Sequence, residues 1–189
     1  MSETPTPERR RRLFGRGVSV PADVVRRASE TVGRRLRVLS GARAGDGSWL
    51  LGTRDELVVL PPTGPAWVRS WDQVESADWD LEEWRLRVRE TGTYGEQRPE
   101  RVFVVEDPGH LLELVRERVT ASVVLQRHRA VRGRAGVTVA ARRPPRGGEL
   151  RWMFVFDAGI DPADPAVREV AQAALADACA EIGVDPARI

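Results

Sequence analysis

The chain contains no lysine and no asparagine, so all 30 of its basic residues are arginine. The missing lysine removes three chemistries at their usual residue. A phosphate-binding P-loop needs a lysine, a protein kinase needs its strand lysine, and Schiff-base catalysis needs an amine. Both absent amino acids have AT-rich codons, which points to a GC-rich bacterial genome, with many arginines standing where another genome would place lysine. Cysteine is nearly absent too. Cys179 alone cannot form an internal disulfide, and the cytoplasm is the expected address. The two histidines, His110 and His128, have no H-x-x-x-H or C-x-x-C spacing around them, so neither a metal site nor a hydrolytic triad is expected. No G-x-S-x-G occurs, and Gly45-Asp46-Gly47 carries an acid that would repel phosphate. No cofactor is called for, and the chain reads as non-enzymatic. No apolar run approaches the ~20 residues of a membrane span. The opening MSETPTPERRRRLFGRG faintly resembles a twin-arginine export signal. That signal needs about 7–15 apolar residues next. Asp23, Arg26, Arg27 and Glu30 stand there instead, so export is not expected.

What remains is ordinary for a soluble globular protein: 189 residues, 41% hydrophobic and 31% charged. The net charge of +2 is too small for general attraction to nucleic acid. Charge is segregated, however, with net values of +7, −6, +5 and −4 over residues 1–44, 45–100, 101–150 and 151–189. Two basic clusters are candidate anion contacts, for nucleic acid or an anionic membrane: Arg9, Arg10, Arg11 and Arg12, then Arg127, Arg129, Arg132 and Arg134. Solvated surface is the simpler account of both.

Residues 1–20 are polar, basic and proline-bearing, and disorder is expected there. A short helix is predicted over 21–30 and a strand over 34–44. GDGS at 45–48 is a hairpin signal. Residues 48–61 give two strands about a turn at Thr53–Glu56, and PPTGP breaks the chain. Next comes AWVRSWDQVESADWDLEEWRLRVRE, in which Trp84, Leu86 and Val88 alternate with Arg85, Arg87 and Arg89. That is a half-buried strand. A turn at Asp80–Glu83 would set Trp79 opposite Trp84 and Asp78 opposite Arg85. The tryptophans are then packing material and the acids the wet side of a hairpin. Of the tryptophans, Trp67 and Trp71 are the candidate interface anchors.

RVFVVE at 101–106 is a further strand. Residues 107–129 begin as a helix, with Asp107 as N-cap and Pro108 at the first position; the β-prone SVVLQ leaves its end open. Two strands, 136–144 and 149–157, then precede a helix at 161–183 capped by Asp164, opened by Pro165 and closed by Gly183. Cys179 falls on its apolar side. The second strand is apolar on both faces, Trp152, Phe154 and Phe156 against Met153 and Val155. Both faces should be covered, and pairing with a second copy through Trp152, Phe154 and Phe156 is one way to do it.

Six or seven short strands followed by an amphipathic helix, carried by GSWLLGTRDELVVL and AWVRSWDQVESADWDLEEWRLRV, resemble bacterial domains of the pleckstrin-homology-like class. The whole chain is similar to small uncharacterised proteins of high-GC bacteria. The resemblance implies a small antiparallel barrel or sandwich capped by a helix. The expected organisation is an α+β chain in three parts: a basic arm over 1–20, a pleckstrin-homology-like domain over 21–130, and a β-β-α extension over 131–189. The extension packs on that domain or on a second copy. The resemblance implies little about function; the expected one is protein–protein contact with an unidentified partner, homodimerisation included. Binding of nucleic acid or an anionic membrane is the alternative.

Overall fold

A computed structural model describes residues 19–91 and 99–186, and the arginines at 9–12 lie outside them. Helix α1 (Ala22–Val32) turns Val24 and Ala28 inward and stops at Gly33, whose φ of 76° supplies the left-handed C-cap. Strands β1 (Val38–Arg43), β2 (Trp49–Thr53), β3 (Glu56–Leu60) and β4 (Trp67–Ser70) form an antiparallel sheet in chain order. Short-range polar chemistry makes its turns. The Ser48 N–H donates to Asp46 Oδ1 at 2.9 Å. Thr53 Oγ1 accepts from the amides of Asp55 and Glu56 at 3.2 and 3.0 Å. A single 3₁₀ turn, Trp71–Gln73, carries the chain round a corner, closed by a Ser70/Gln73 capping box. Strands β5 (Val74–Asp80), β6 (Arg85–Glu90) and β7 (Glu100–Val104) make the second sheet. Helix α2 (Leu111–Ser122) follows, then β8 (Val123–Arg132), β9 (Ala135–Arg142) and β10 (Arg151–Phe156) in a third sheet of order β10-β9-β8, and finally helix α3 (Pro165–Ile182). The fold is α+β with three antiparallel sheets, and among the described residues no strand order closes into a barrel.

The first two sheets and α2 enclose one core, which includes Leu50, Leu57, Trp71, Val74, Leu86, Val88, Leu111 and Val115. Each such aliphatic side chain contributes about 1.5–3 kcal/mol on burial. The other face of β2 and β3 is also covered, since Val24, Ala28 and Leu36 lie over Leu51, Val58 and Leu60. Strand β3 is therefore buried along its whole length. Helix α2 presses so closely on β2 that a Cβ at Gly52 would fall 2.6 Å from Leu114 Cδ2, and the leucine side chain would have to shift to admit it. Helix α3 covers one face of the third sheet, packing Ala174 and Ala178 on Leu125, Val139 and Ala141.

The third sheet is joined to the second by arginine. Arg142, 6% exposed, sends one terminal nitrogen to the Val74 carbonyl and the other to the Glu75 carbonyl at 3.2 Å. Burial draws its pKa below the ordinary arginine value. Arg151 Nε donates to the buried carboxylate of Asp72 at 2.9 Å, which also accepts from the Ser70 hydroxyl.

Three local expectations change. Helix α2 stops at Ser122, because Val123 turns extended at ψ 117° and begins β8; β-branched and strand-pairing preference wins over helical continuation. Arg127, His128 and Arg129 thus lie on a strand. Asp107 accepts from the Gly109 amide instead of capping α2, and His110 holds the N-cap position. The β5–β6 register sets Asp78 opposite Arg87, Trp79 opposite Leu86 and Asp80 opposite Arg85. This is a two-residue shift from the expected pairing, which keeps the faces but pushes Trp84 out of the strand.

Candidate interaction surface

On the outward face of the second sheet the register builds three rungs. They are Asp80–Arg85–Val104, Asp78–Arg87–Val102 and Ser76–Arg89–Glu100. Arg89 bonds Glu100 at 2.9 Å and lies 3.6 Å from Asp78. The Glu100 bond raises the Arg89 pKa above its ordinary value. Arg85 pairs with Glu83 at 2.8 Å. Such exposed pairs contribute about 0–1 kcal/mol each; they set orientation and a polar surround.

The apolar members of this face are uncovered. Val102 is 48% and Val104 52% exposed. Beside them is the β5–β6 tip, where Asp80 Oδ1 accepts from the amides of Glu82 and Glu83. That turn raises Leu81, 52% exposed, and Trp84, 39% exposed. The Trp84 carbonyl accepts from the Val105 amide at 2.8 Å, which fixes the tip against the end of β7. Four of the six exposed large hydrophobic side chains among the described residues thus belong to the second sheet and its β5–β6 turn.

Trp84 is strained. Its φ of 54° is the one positive value outside glycine among the described residues, and a bulky residue there costs on the order of 1–2 kcal/mol. The indole is held edge-on to Trp79, with centroids 6.4 Å apart and planes at 68°. Strain of this kind concentrates at binding sites. Acids stand in the tip (Asp80, Glu82 and Glu83) and after β7 (Glu106 and Asp107), while Arg85 and Arg87 stand beside Val104 and Val102.

Trp71 is fully buried, and its indole N–H donates to the Thr53 carbonyl at 3.2 Å. It is core, so the expectation of an anchor at Trp71 is corrected. Trp67 is half-buried, with the guanidinium groups of Arg69 and Arg101 each 5.0 Å from its ring centre. Both arginines also pair with buried Glu90. Trp152, Phe154 and Phe156 are half-buried on β10, an edge strand, with Trp152 and Phe154 against the cluster under α3. The second basic cluster is largely neutralised where it stands. Arg127 pairs with Glu181 and Arg129 with Asp177, both on α3, which leaves Arg132 and Arg134 as exposed arginines with no ion pair among the described residues. Cys179 is a buried free thiol whose pKa burial pushes up. No helix among the described residues is long and apolar enough to cross a membrane.

His128 is tied down rather than free. Its Nε2 lies 3.0 Å from Asp157 Oδ2, which also accepts from the Gly136 amide at 2.8 Å. The His128 bond first, then the Gly136 bond, lower the Asp157 pKa. A carboxylate whose folded pKa is depressed stabilises the fold above its unfolded value of about 3.9, and that contribution disappears as pH falls through the lower folded value. Asp157→Asn is therefore expected to melt earlier than the parent at pH 7. The gap should persist to about pH 4 and close below it. Thermal melts across a pH series read this directly; a gap that opens toward acid instead contradicts it.

The outward residues that sequence reasoning missed are Leu81, Trp84, Val102 and Val104. One signal was available: Leu81 is an apolar side chain in the middle of an acidic turn. Comparison with known protein families, with curated proteins and with solved structures finds no match to this chain.

Proposed function

We propose that this protein is a non-enzymatic interaction module of pleckstrin-homology-like build. It binds a protein partner at the patch formed by Leu81, Trp84, Val102 and Val104. The observation that carries this reading is Trp84, a half-exposed indole kept in a costly backbone conformation at the β5–β6 turn. A packing tryptophan needs neither feature, whereas an interface anchor needs a rigid, accessible aromatic. Support for the architecture comes from the order of elements. Four antiparallel strands, a corner, three more strands and a following helix repeat the plan that the sequence resembles. The acids of the tip, beside Leu81 and Trp84, favour a partner segment that is basic as well as apolar where it meets the tip. Of the described candidates for the competing reading, an anion binder for nucleic acid or membrane, Arg132 and Arg134 alone have no ion pair among the described residues.

A random peptide library displayed against the full chain tests the proposal. Selected peptides should combine basic with apolar residues and bind Trp84→Ala about 30-fold more weakly, the scale of a ~2 kcal/mol anchor. Peptides that bind Trp84→Ala as well as the parent would remove the patch from consideration.

A further inference from the structure

The patch favours a segment that is basic as well as apolar, and the chain itself contains one. Residues 9–14 read RRRRLF, four arginines in a row followed by Leu13 and Phe14. They lie outside the described residues, whose first member is Ser19. Ser19 lines a groove with Val38, Leu39 and Ser40 at the start of β1 and with His110 before α2. The described chain therefore begins beside the first residues of β1, where Leu39 is 45% exposed.

The far end of β1 meets the patch. Strand β1 leads through Ala44 to Gly45, whose amide donates to the Val104 carbonyl at 2.8 Å, and the Val105 amide donates in turn to the Trp84 carbonyl. From Ser40 to Gly45 an extended chain covers about 17 Å at ~3.3 Å per residue. An extended segment from Ser19 back to Leu13 spans about 20 Å. Leu13 and Phe14 thus come within reach of Val104, and the arginines at 9–12 come next, within reach of the tip. Gly45 closes only the backbone edge at Val104; the valine side chain stays 52% exposed. Charge selects the same order. Arg85 and Arg87 stand beside Val104 and Val102, where further arginines would be repelled and apolar side chains are not. In the tip Glu83 is paired with Arg85, whereas Asp80 and Glu82 have no ion pair among the described residues.

We infer that residues 9–14 of the same chain occupy the patch when the partner is absent, and that the partner binds by displacing them. Leu13 and Phe14 then meet Val104 and Trp84, and the arginines meet Asp80 and Glu82. This rests on the patch reading above and names the competitor for that same site. Tethering makes a weak contact sufficient. A short linker holds its segment at an effective concentration of about 1 mM. A segment that binds the open patch with a Kd of ~0.1 mM then fills it in about nine molecules of ten and weakens a competitor about tenfold. Arginine against carboxylate at an exposed tip is screened by salt, so the closed form opens as ionic strength rises.

The probe is the blocked peptide Pro-Glu-Arg-Arg-Arg-Arg-Leu-Phe-Gly-Arg, the sequence of residues 7–16. It is titrated into two full-length chains, the parent and a variant that combines Arg9→Ser, Arg10→Ser, Arg11→Ser, Arg12→Ser, Leu13→Ser and Phe14→Ser. The variant should bind the peptide about tenfold more tightly than the parent, because its patch is open. Its Trp84 indole N–H resonance should differ from the parent's, and the added peptide should return it to the parent's position. Trp84→Ala in the variant background should abolish the binding. In the parent alone, raising salt from about 0.05 M to about 0.5 M should move the Trp84 resonance toward its place in the variant; this readout needs no substitution. Equal affinity of the two chains for the peptide, or a Trp84 resonance indifferent both to the substitutions and to salt, overturns the inference. So does an affinity gap that vanishes on dilution of the protein, which would place the segment on a neighbouring copy. The patch reading fails separately, if the library-selected peptides ignore Trp84→Ala. Library peptides that need Trp84 yet bind parent and variant alike would keep the patch and remove the tethered segment from it.

Discussion

Trp71→Ala is expected to cost about 3–5 kcal/mol, the range for deleting a large aromatic from a closed core. For a chain of this size that lowers the melting temperature by roughly 6–20 °C. The indole is wholly inaccessible and stands on the 3₁₀ turn where the first sheet hands over to the second. Val74, Leu86, Val88 and Leu111 belong to the same cluster, so its removal opens a void that no single neighbour can fill. It also orphans the Thr53 carbonyl, which accepts the indole N–H. Trp71→Phe separates the two effects. It restores most of the volume but not the donor, and should cost about 1–3 kcal/mol, the penalty of an unsatisfied buried acceptor. Circular dichroism melts of both variants measure the difference. A Trp71→Ala melting within two degrees of the parent would mean that the corner is not packed as described.

The contrast between Trp71 and Trp84 shows how far the sequence could be read. Both sit in one acidic, tryptophan-rich stretch. Alternation correctly put Leu86 and Val88 inside and Arg85, Arg87 and Arg89 outside. It failed one residue earlier, because Trp84 belongs to the turn and takes a left-handed backbone. Period-two reasoning assumes extended backbone at every position, so it cannot detect the residue where extension stops. Trp71 was misjudged as an anchor for the complementary reason: nothing local announces that the chain leaves β4 at Ser70 and turns the indole into the core. Helix α3 was legible from end to end, since Asp164, Pro165 and Gly183 are local signals acting on their own neighbours. The end of α2 was not, because the partner that claims Val123 is Arg142, some twenty residues on. The same non-locality hides the fate of the basic cluster. Nothing near Arg127 and Arg129 in sequence announces Glu181 and Asp177.

Arg142 carries the second large effect. Arg142→Met should destabilise the chain by about 2–4 kcal/mol, from backbone acceptors left buried without donors at about 1–3 kcal/mol each, partly relieved by entering water. Two terms compete here. Removing the guanidinium also removes its desolvation cost, the main cause of its lowered pKa, and replacing a buried ion pair by a hydrophobic residue is often neutral. That compensation fails for Arg142, because its partners are the carbonyls of Val74 and Glu75. Main-chain acceptors stay in place whatever side chain faces them. Arg142→Lys keeps the charge but lacks the planar fork that reaches both carbonyls, and should fall between the two. The seam predicts a change of shape as well as of midpoint. With Arg142 gone, Arg151–Asp72 at 2.9 Å and the exposed Arg146–Asp55 contact at 3.1 Å remain between the third sheet and the first two. Calorimetry of Arg142→Met should therefore resolve two transitions where the parent gives one. A single transition at the parent's temperature would assign the junction to Asp72 and Arg151 instead.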